Sequence, residues 1–350
     1  MVDYLIVGLG LAGISFCEQL EKHNKTFKVI SDSSQTSSIV AGGLYNPVIL
    51  KRFTLAWQAV EQMKEAKSFY SSLENKLGVQ LDYTLPVYRR FHSIEEQNLW
   101  FEASDKKGLD KFLNTKILTN ANPAIDAPFG YGEVLSTGRI DTKTLVSSYK
   151  DYLVSKGSLS EETFDFTNFT QTEDGVKYGS CSAKNIVFAE GFGLKNNPFF
   201  DYLPLQGSKG EYLFVKAPEL KENRAIKSSV FIIPQGNDVY RVGANYERND
   251  KTNLPTESAR EGLLSKLRVV LKCKFDVVGQ VAGVRPTVVD RKPLVGRHPE
   301  YQYVYVLNGF GSRGVLIGPS VSKKLYALIE NGESLDQEID VARFTQKYYR

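Results

Sequence analysis

An apolar run opens the chain. Tyr4-Leu-Ile-Val7 reads as a buried strand, and after three spaced glycines Ile14, Cys17 and Leu20 recur at helical spacing. A second short strand, Phe27-Lys-Val-Ile30, runs into Asp32 and completes a βαβ unit. Further on, Ala56, Val60, Met63, Ala66, Tyr70, Leu73 and Leu77 step by three or four, which predicts a long helix closed by Gly78. Beyond Gln80 the texture changes. Leu81 to Tyr88 and Arg89 to Phe91 read as strands, a polar helix covers 94–103, and the stretch through Pro128 and Tyr131 forms a separate layer. Asp141 is placed to cap a helix bearing Leu145, Tyr149 and Tyr152 on one face. Lys184 to Gly191 is an apolar strand ending in glycine, suited to the edge of a parallel sheet.

A second strand-rich section holds Leu203 to Val215, Val230 to Pro234 and Val239 to Tyr246, with Gly236-Asn-Asp238 as a hairpin turn. A helix with Leu263, Leu267 and Val270 follows. Strand, glycine loop and helix then return at Val304 to Pro319, with Val321, Leu325 and Leu328 along the helix's inner face and Asn331-Gly332 at its end. This alternation predicts an α/β fold: a Rossmann-type domain built from 1–80, 137–202 and 283–350, and a β-rich second domain from 81–136 and 203–282.

Composition narrows the field only slightly. A chain of 350 residues has room for two domains, and a formal charge of +4 gives no case by itself for nucleic acid. No apolar run is long enough to span a bilayer, and Asp3 stands where a signal peptide carries basic residues, so a cytoplasmic location is expected. Three widely spaced cysteines without C-x-x-C indicate neither a disulfide framework nor a metal site.

The opening unit carries the first chemistry. Gly8, Gly10 and Gly13 satisfy the G-x-G-x-x-G spacing: a tight turn, a close approach for a pyrophosphate, and close packing of helix on strand. The helix start offers free N–H groups to phosphate. Asp32, 24 residues after Gly8, stands where a carboxylate grips an adenosine ribose. The segment from Ser33 to Pro47, polar at first and then rich in glycine, reads either as a loop crossing the cofactor or as a plain surface loop.

Four stretches together resemble the D-amino-acid-oxidase-like family of FAD-dependent oxidoreductases, which includes glycine oxidase and sarcosine oxidase. They are the Gly8/Gly10/Gly13 unit with Asp32, Ala41-Gly-Gly43, the run from Ala282 through Arg285-Pro286 and Asp290 to Gly296, and Gly309 to Pro319. The forms Gly42-Gly43-Leu-Tyr-Asn-Pro47 and Gly311-Ser-Arg-Gly314 are similar to the oxidase half of the bifunctional tRNA 5-methylaminomethyl-2-thiouridine enzyme.

The resemblance implies an FAD-binding domain with a substrate cap, and oxidation of a C–N bond by hydride transfer to flavin N5 followed by imine hydrolysis. It places cofactor contacts at Gly8, Gly10, Leu11, Ala12 and Gly13, at Asp32 and Ser33, at Gly42, Gly43 and Leu44, at Gly191, and at Gly311, Ser312, Arg313, Gly314, Val315 and Leu316. No cysteine is placed to hold the flavin, so FAD is expected to be non-covalent. Arg285 is the implied anchor of a substrate carboxylate; the alternative is a structural arginine tied to Asp290. Arg313 is a candidate for an anionic substrate group or for charge on reduced flavin, against a surface loop residue. Glycine oxidase carries its arginine one position earlier, at Ser312 here.

Tyr246 and Phe231 match positions that line the family's substrate pocket, and each is equally readable as ordinary strand or cap surface. Tyr45 and Lys51 stand where they could face the ring or the substrate, and His298 reads as a surface or loop residue. The implied partner is a small amine or amino acid, with oxygen or a quinone as electron acceptor. A carboxymethylaminomethyl-uridine in tRNA is the less favoured substrate, and a flavin-binding protein without turnover is the rival of another class. An NAD-dependent dehydrogenase leaves the Gly309–Pro319 loop without a role.

Overall fold

In the computed structural model, which describes residues 1–32 and 34–349, the opening run forms strand Val2–Val7 and helix Leu11–Lys22. Gly8, between them, adopts a φ of 102°, which an L side chain resists. The strand pairs in parallel with Phe27–Ile30 on one side and with Cys181–Phe188 on the other, inside an eight-stranded sheet. Its pleat sends Tyr4 and Ile6 into one core and Leu5 and Val7 into another. The first core receives helices Leu11–Lys22, Ala59–Leu77 and Gly314–Asn331.

Cys181–Phe188 is an interior strand, not the sheet edge its pattern suggested. Val304–Asn308 lies parallel on its far side, which is why Ile186, Val187 and Phe188 are wholly buried. Helix Ala59–Leu77 begins after Ala56, and Val60 faces solvent; Ala66, Tyr70 and Leu73 carry its buried face, and Gly78 ends it in the left-handed conformation. His298, expected at the surface or in a loop, lies in the loop after strand Leu294–Arg297 but is buried among Phe199, Phe200 and Tyr301, and its Nδ1 accepts the N–H groups of Glu300 and Tyr301 at 3.1 Å each. An aromatic cluster from three chain segments closes over it, which local sequence does not reveal.

A second sheet has seven strands in the order Asp276–Arg285, Ser208–Lys216, Val239–Gly243, Phe231–Gly236, Ala225–Lys227, Val87–Arg90 and Tyr131–Val134. Leu213, Val215, Ile232 and Val242 on one face pack with Leu263, Leu264 and Leu267 of helix Glu257–Arg268. Tyr212, Phe231, Arg241 and Gly243 occupy the other face. Asn237 and Asp238 both have positive φ, as a two-residue hairpin turn requires.

The run expected as one strand from Leu81 to Tyr88 divides at Leu85-Pro86. Asp82–Thr84 joins a three-stranded sheet with Gly138–Ile140, while Val87–Arg90 enters the seven-stranded one. Proline lacks the N–H that a continuous ladder needs. The cysteines are unpaired, and among the described residues no helix is long and apolar enough to cross a membrane.

Asp141 accepts the N–H of Thr144 at 3.1 Å and caps helix Thr142–Ser155. Asp141→Ala is expected to lower the unfolding free energy by about 1 kcal/mol, read as a shifted urea midpoint at unchanged slope.

Candidate active site

The carboxyl ends of strands Val2–Val7 and Cys181–Phe188, the starts of helices Leu11–Lys22 and Gly314–Asn331, and the free face of the seven-stranded sheet enclose a cavity of about 1570 Å³. That exceeds the roughly 300–1,000 Å³ of an ordinary small-ligand pocket and leaves room for a dinucleotide and a substrate together. Its location, beyond the carboxyl ends of parallel strands, is where open α/β sheets bind ligands.

Gly8, Gly10, Leu11, Ala12, Asp32, Gly42, Gly43, Leu44, Gly191 and the stretch Gly311 to Leu316 all line this cavity. Gly13 does not. A Cβ there would strike the Gly8 carbonyl, so Gly13 brings the helix down on the turn instead of touching a ligand. Ser33 lies outside the described residues.

At the end beside the glycine turn, Asp32 accepts the Ser34 N–H at 2.9 Å and the Thr163 hydroxyl at 3.0 Å. Burial pushes its carboxyl up, but these hydrogen bonds outweigh burial and hold it below the usual range, an ionised acceptor at neutral pH. Two residues here escaped sequence reading. Ser38 accepts the Leu11 N–H at 3.1 Å and faces Gly10; the serine-rich segment after Asp32 was its only signal. Glu190 meets solvent at the cavity wall but is otherwise enclosed. Burial pushes its carboxyl up to about 7, against the 2.7 Å hydrogen bond from Asn197, and the charge of Asp32 adds to the rise.

The segment after Ser33 forms part of the cavity wall and is gripped from the seven-stranded sheet. Arg241, buried against the rings of Phe214 and Tyr212, donates to the Ala41 carbonyl. Gly283 leaves space for Val40, and Gly42 lies under the Tyr212 hydroxyl. Gly43 has a φ of 68° and fits against the Ile140 carbonyl, where no Cβ could. Arg241, Tyr212 and Gly283 stand far from Ala41 in sequence, and no local pattern joins them.

Along the seven-stranded sheet, the Arg285 guanidinium centres 4.7 Å from the Tyr246 ring and lies over Gly210, where a Cβ would displace it. Asp290, its suggested structural partner, is instead bound by Arg343 at 2.9 Å. Tyr246 is 70% exposed and forms the outer rim, while Phe231 is half-buried in the floor. Arg313 is in the wall and not on the surface. Its Nη2 donates to the Asn46 carbonyl at 3.0 Å, and burial pushes the guanidinium down to about 10, still a cation at neutral pH. Lys51 is exposed at the cavity mouth, whereas Tyr45 turns away and donates to Asp82 at 2.8 Å.

Residues 3–328 match the model of the FAD-dependent oxidoreductase (DAO) family. The chain belongs to this family. Glycine oxidase of Bacillus subtilis (strain 168) is 23% identical over 374 residues, covering 99% of this chain and 97% of its own. The bifunctional tRNA 5-methylaminomethyl-2-thiouridine biosynthesis protein of Shewanella pealeana is 25% identical over 195 residues, 45% of this chain and 30% of that protein. The crystal structure of glycine oxidase from Geobacillus kaustophilus superposes with a TM-score of 0.77 at 19% identity, covering 98% and 97% of the two chains. This member of the DAO family is an FAD enzyme, and its glycine cradle and Asp32 suit the pyrophosphate and ribose of that cofactor.

Glu190 sets a pH dependence. A carboxyl raised to about 7 in the folded protein holds its proton above the ordinary 4.5, so its stabilising share is complete below pH 4.5 and is lost as pH rises through 7. Glu190→Gln keeps the neutral form at every pH. Relative to the wild type, it is expected to gain roughly 1–3 kcal/mol between pH 5 and pH 8. Denaturant midpoints of both proteins across that range check this; parallel curves would show that Glu190 titrates normally.

Proposed function

We propose that this enzyme oxidises the C–N bond of a small carboxylated amine or amino acid, of the glycine, D-amino-acid or sarcosine type. The observation that carries the reading is the Arg285 guanidinium, a fork facing the cavity, seated between Tyr246 and Gly210. Guanidinium geometry takes a carboxylate through two parallel N–H···O bonds and so fixes the direction of the carbon beside the amine. Bound FAD supplies the hydride-accepting chemistry. Phe231 and Tyr212 give that part of the site an aromatic floor that displaces water from the reacting carbon. Arg313, beside the start of helix Gly314–Asn331, adds positive potential at the opposite wall, where it favours negative charge. A substrate amine that enters neutral needs no side-chain base, and water in the open cavity hydrolyses the resulting imine. None of the three cysteines lines the cavity, which supports non-covalent FAD.

A second reading, the same chemistry on a nucleoside within tRNA, is favoured by the cations Lys51, Arg248 and Lys251 along the cavity wall. It requires tRNA affinity that falls steeply with salt.

An anaerobic absorbance titration with glycine, sarcosine, D-amino acids, proline and carboxymethylaminomethyl-uridine tests the reaction. Bleaching of the flavin band near ~450 nm by one compound supports the proposal; a yellow protein that none of them bleaches counts against it. Arg285→Ala is expected to raise KM for a carboxylated substrate by about 100-fold or more, the loss of a charge-assisted pair. Gly210→Ala, whose methyl displaces the guanidinium, should shift KM the same way by a smaller factor. An unchanged KM in Arg285→Ala removes that residue from the site.

A further inference from the structure

Beyond Arg285 the cavity floor is one face of the seven-stranded sheet, and the strand register draws a row across it. Lys227 pairs with Phe231, Phe231 with Gly243, and Gly243 with Tyr212, so all four share that face. Gly210, beneath the Arg285 guanidinium, is two residues from Tyr212 on the same strand and therefore on the same face. At the far end of the row Lys227 is half-buried. Its Nζ lies 5.0 Å from the centre of the Phe231 ring and 3.3 Å from the Ser229 carbonyl.

The charged groups that act on Lys227 are both cations, Arg89 and Lys266. Arg89 is engaged by Glu96, whereas Lys266 joins Lys227 in the cavity lining. Burial, with Arg89 and Lys266 adding to it, pushes Lys227 down to about 8, so it keeps most of its charge at neutral pH. A half-buried ammonium beside the Phe231 ring, with the exposed Lys266 adding its charge at the cavity lining, leaves an electrostatic demand that an anion would meet.

We propose that Lys227 and Lys266 form a second-anion subsite, and that the preferred substrate is an elongated amine with its carboxylate on Arg285 and another acid group on Lys227. The inference rests on the reading of Arg285 as carboxylate anchor. From Gly210 to Lys227 is three strand steps across and two residues along, which sets the two anchoring positions about 16 Å apart, with the Lys227 ammonium leaning back toward the Phe231 ring. That is about four to five extended residue lengths, well beyond glycine or sarcosine. At Gly243 the missing side chain admits the Tyr212 ring, which forms the floor between them. An N-carboxymethyl amine whose long arm ends in an acid fits this spacing. The distal acid is a carboxylate or a phosphate, both of which pair with lysine.

The test is calorimetric titration of the FAD-loaded protein with N-alkylglycines of equal long arm, ending in methyl, carboxylate or phosphonate. Acid-ended compounds should bind about tenfold more tightly than the methyl-ended one, the size of one charge-assisted hydrogen bond. The gap should collapse in Lys227→Met, narrow in Lys266→Gln and persist in Lys227→Arg. A phosphonate that outbinds the carboxylate identifies a phosphate-bearing substrate; the reverse order identifies a dicarboxylate. Equal binding of all three ends, or a gap that survives in Lys227→Met, overturns the subsite. Acid-dependent binding through Lys227 with no flavin reduction by any compound leaves the subsite standing and removes amine oxidation. Turnover without a gap does the opposite.

Discussion

Everything in this molecule is arranged around one close approach of backbone to backbone. The turn after Val2–Val7 is seated so tightly that a Cβ on Gly8 would enter the Ala189 backbone, and one on Gly13 would strike the Gly8 carbonyl. Only glycine allows helix Leu11–Lys22 to descend onto the strand there, and only that descent aims the helix start at the cavity. The neighbouring strand is bound into the same junction. The Ala189 N–H donates to the Val7 carbonyl at 2.7 Å, and Asn308 reaches across from the next strand to the Gly191 carbonyl at 2.9 Å. Three strand ends, from distant parts of the chain, thus share one rigid rim.

The second sheet is held to that rim through the segment that carries Val40, Ala41 and Gly42. Arg241 is the central tie: a buried cation that donates to a backbone carbonyl and lies between two aromatic rings. Burying a guanidinium is costly unless its charge is met by such dipoles and π-faces. Gly283 and Gly210 complete the fit by omission, one admitting Val40 and the other admitting the Arg285 guanidinium. The seven-stranded sheet is therefore smooth where the loop and the arginine lie against it, and aromatic where Phe231 and Tyr212 line the cavity.

Much of this was legible in the chain itself. Hydrophobic periods predicted the opening βαβ unit, and residue type predicted the caps at Asp141, Gly78 and Gly332 and the Gly236-Asn-Asp238 hairpin turn, because each is set by residues adjacent in sequence. What went astray depended on distant neighbours. Lys184 to Ala189 has the same apolar pattern whether it is an edge or an interior strand, and only Val304–Asn308 beside it decides the matter. His298 is the loop residue its sequence suggests, but Phe199, Phe200 and Tyr301 fold over it and bury it.

By itself, then, the sequence determined the α/β plan, the glycine cradle and Asp32, since spacing and side-chain chemistry suffice for those, while Arg285 and Arg313 stood out as candidate anion-binding groups through the family resemblance. The tertiary structure alone decided that Arg285 faces the cavity over Gly210 while Asp290 goes to Arg343. It alone enclosed Glu190 beside Asp32, turned Tyr45 away, and aligned Lys227 with Phe231 and Tyr212 on one face. The reason is physical. A cavity is the space left between elements that are far apart along the chain, and whether a charge is paired, buried or free depends on what crosses that space.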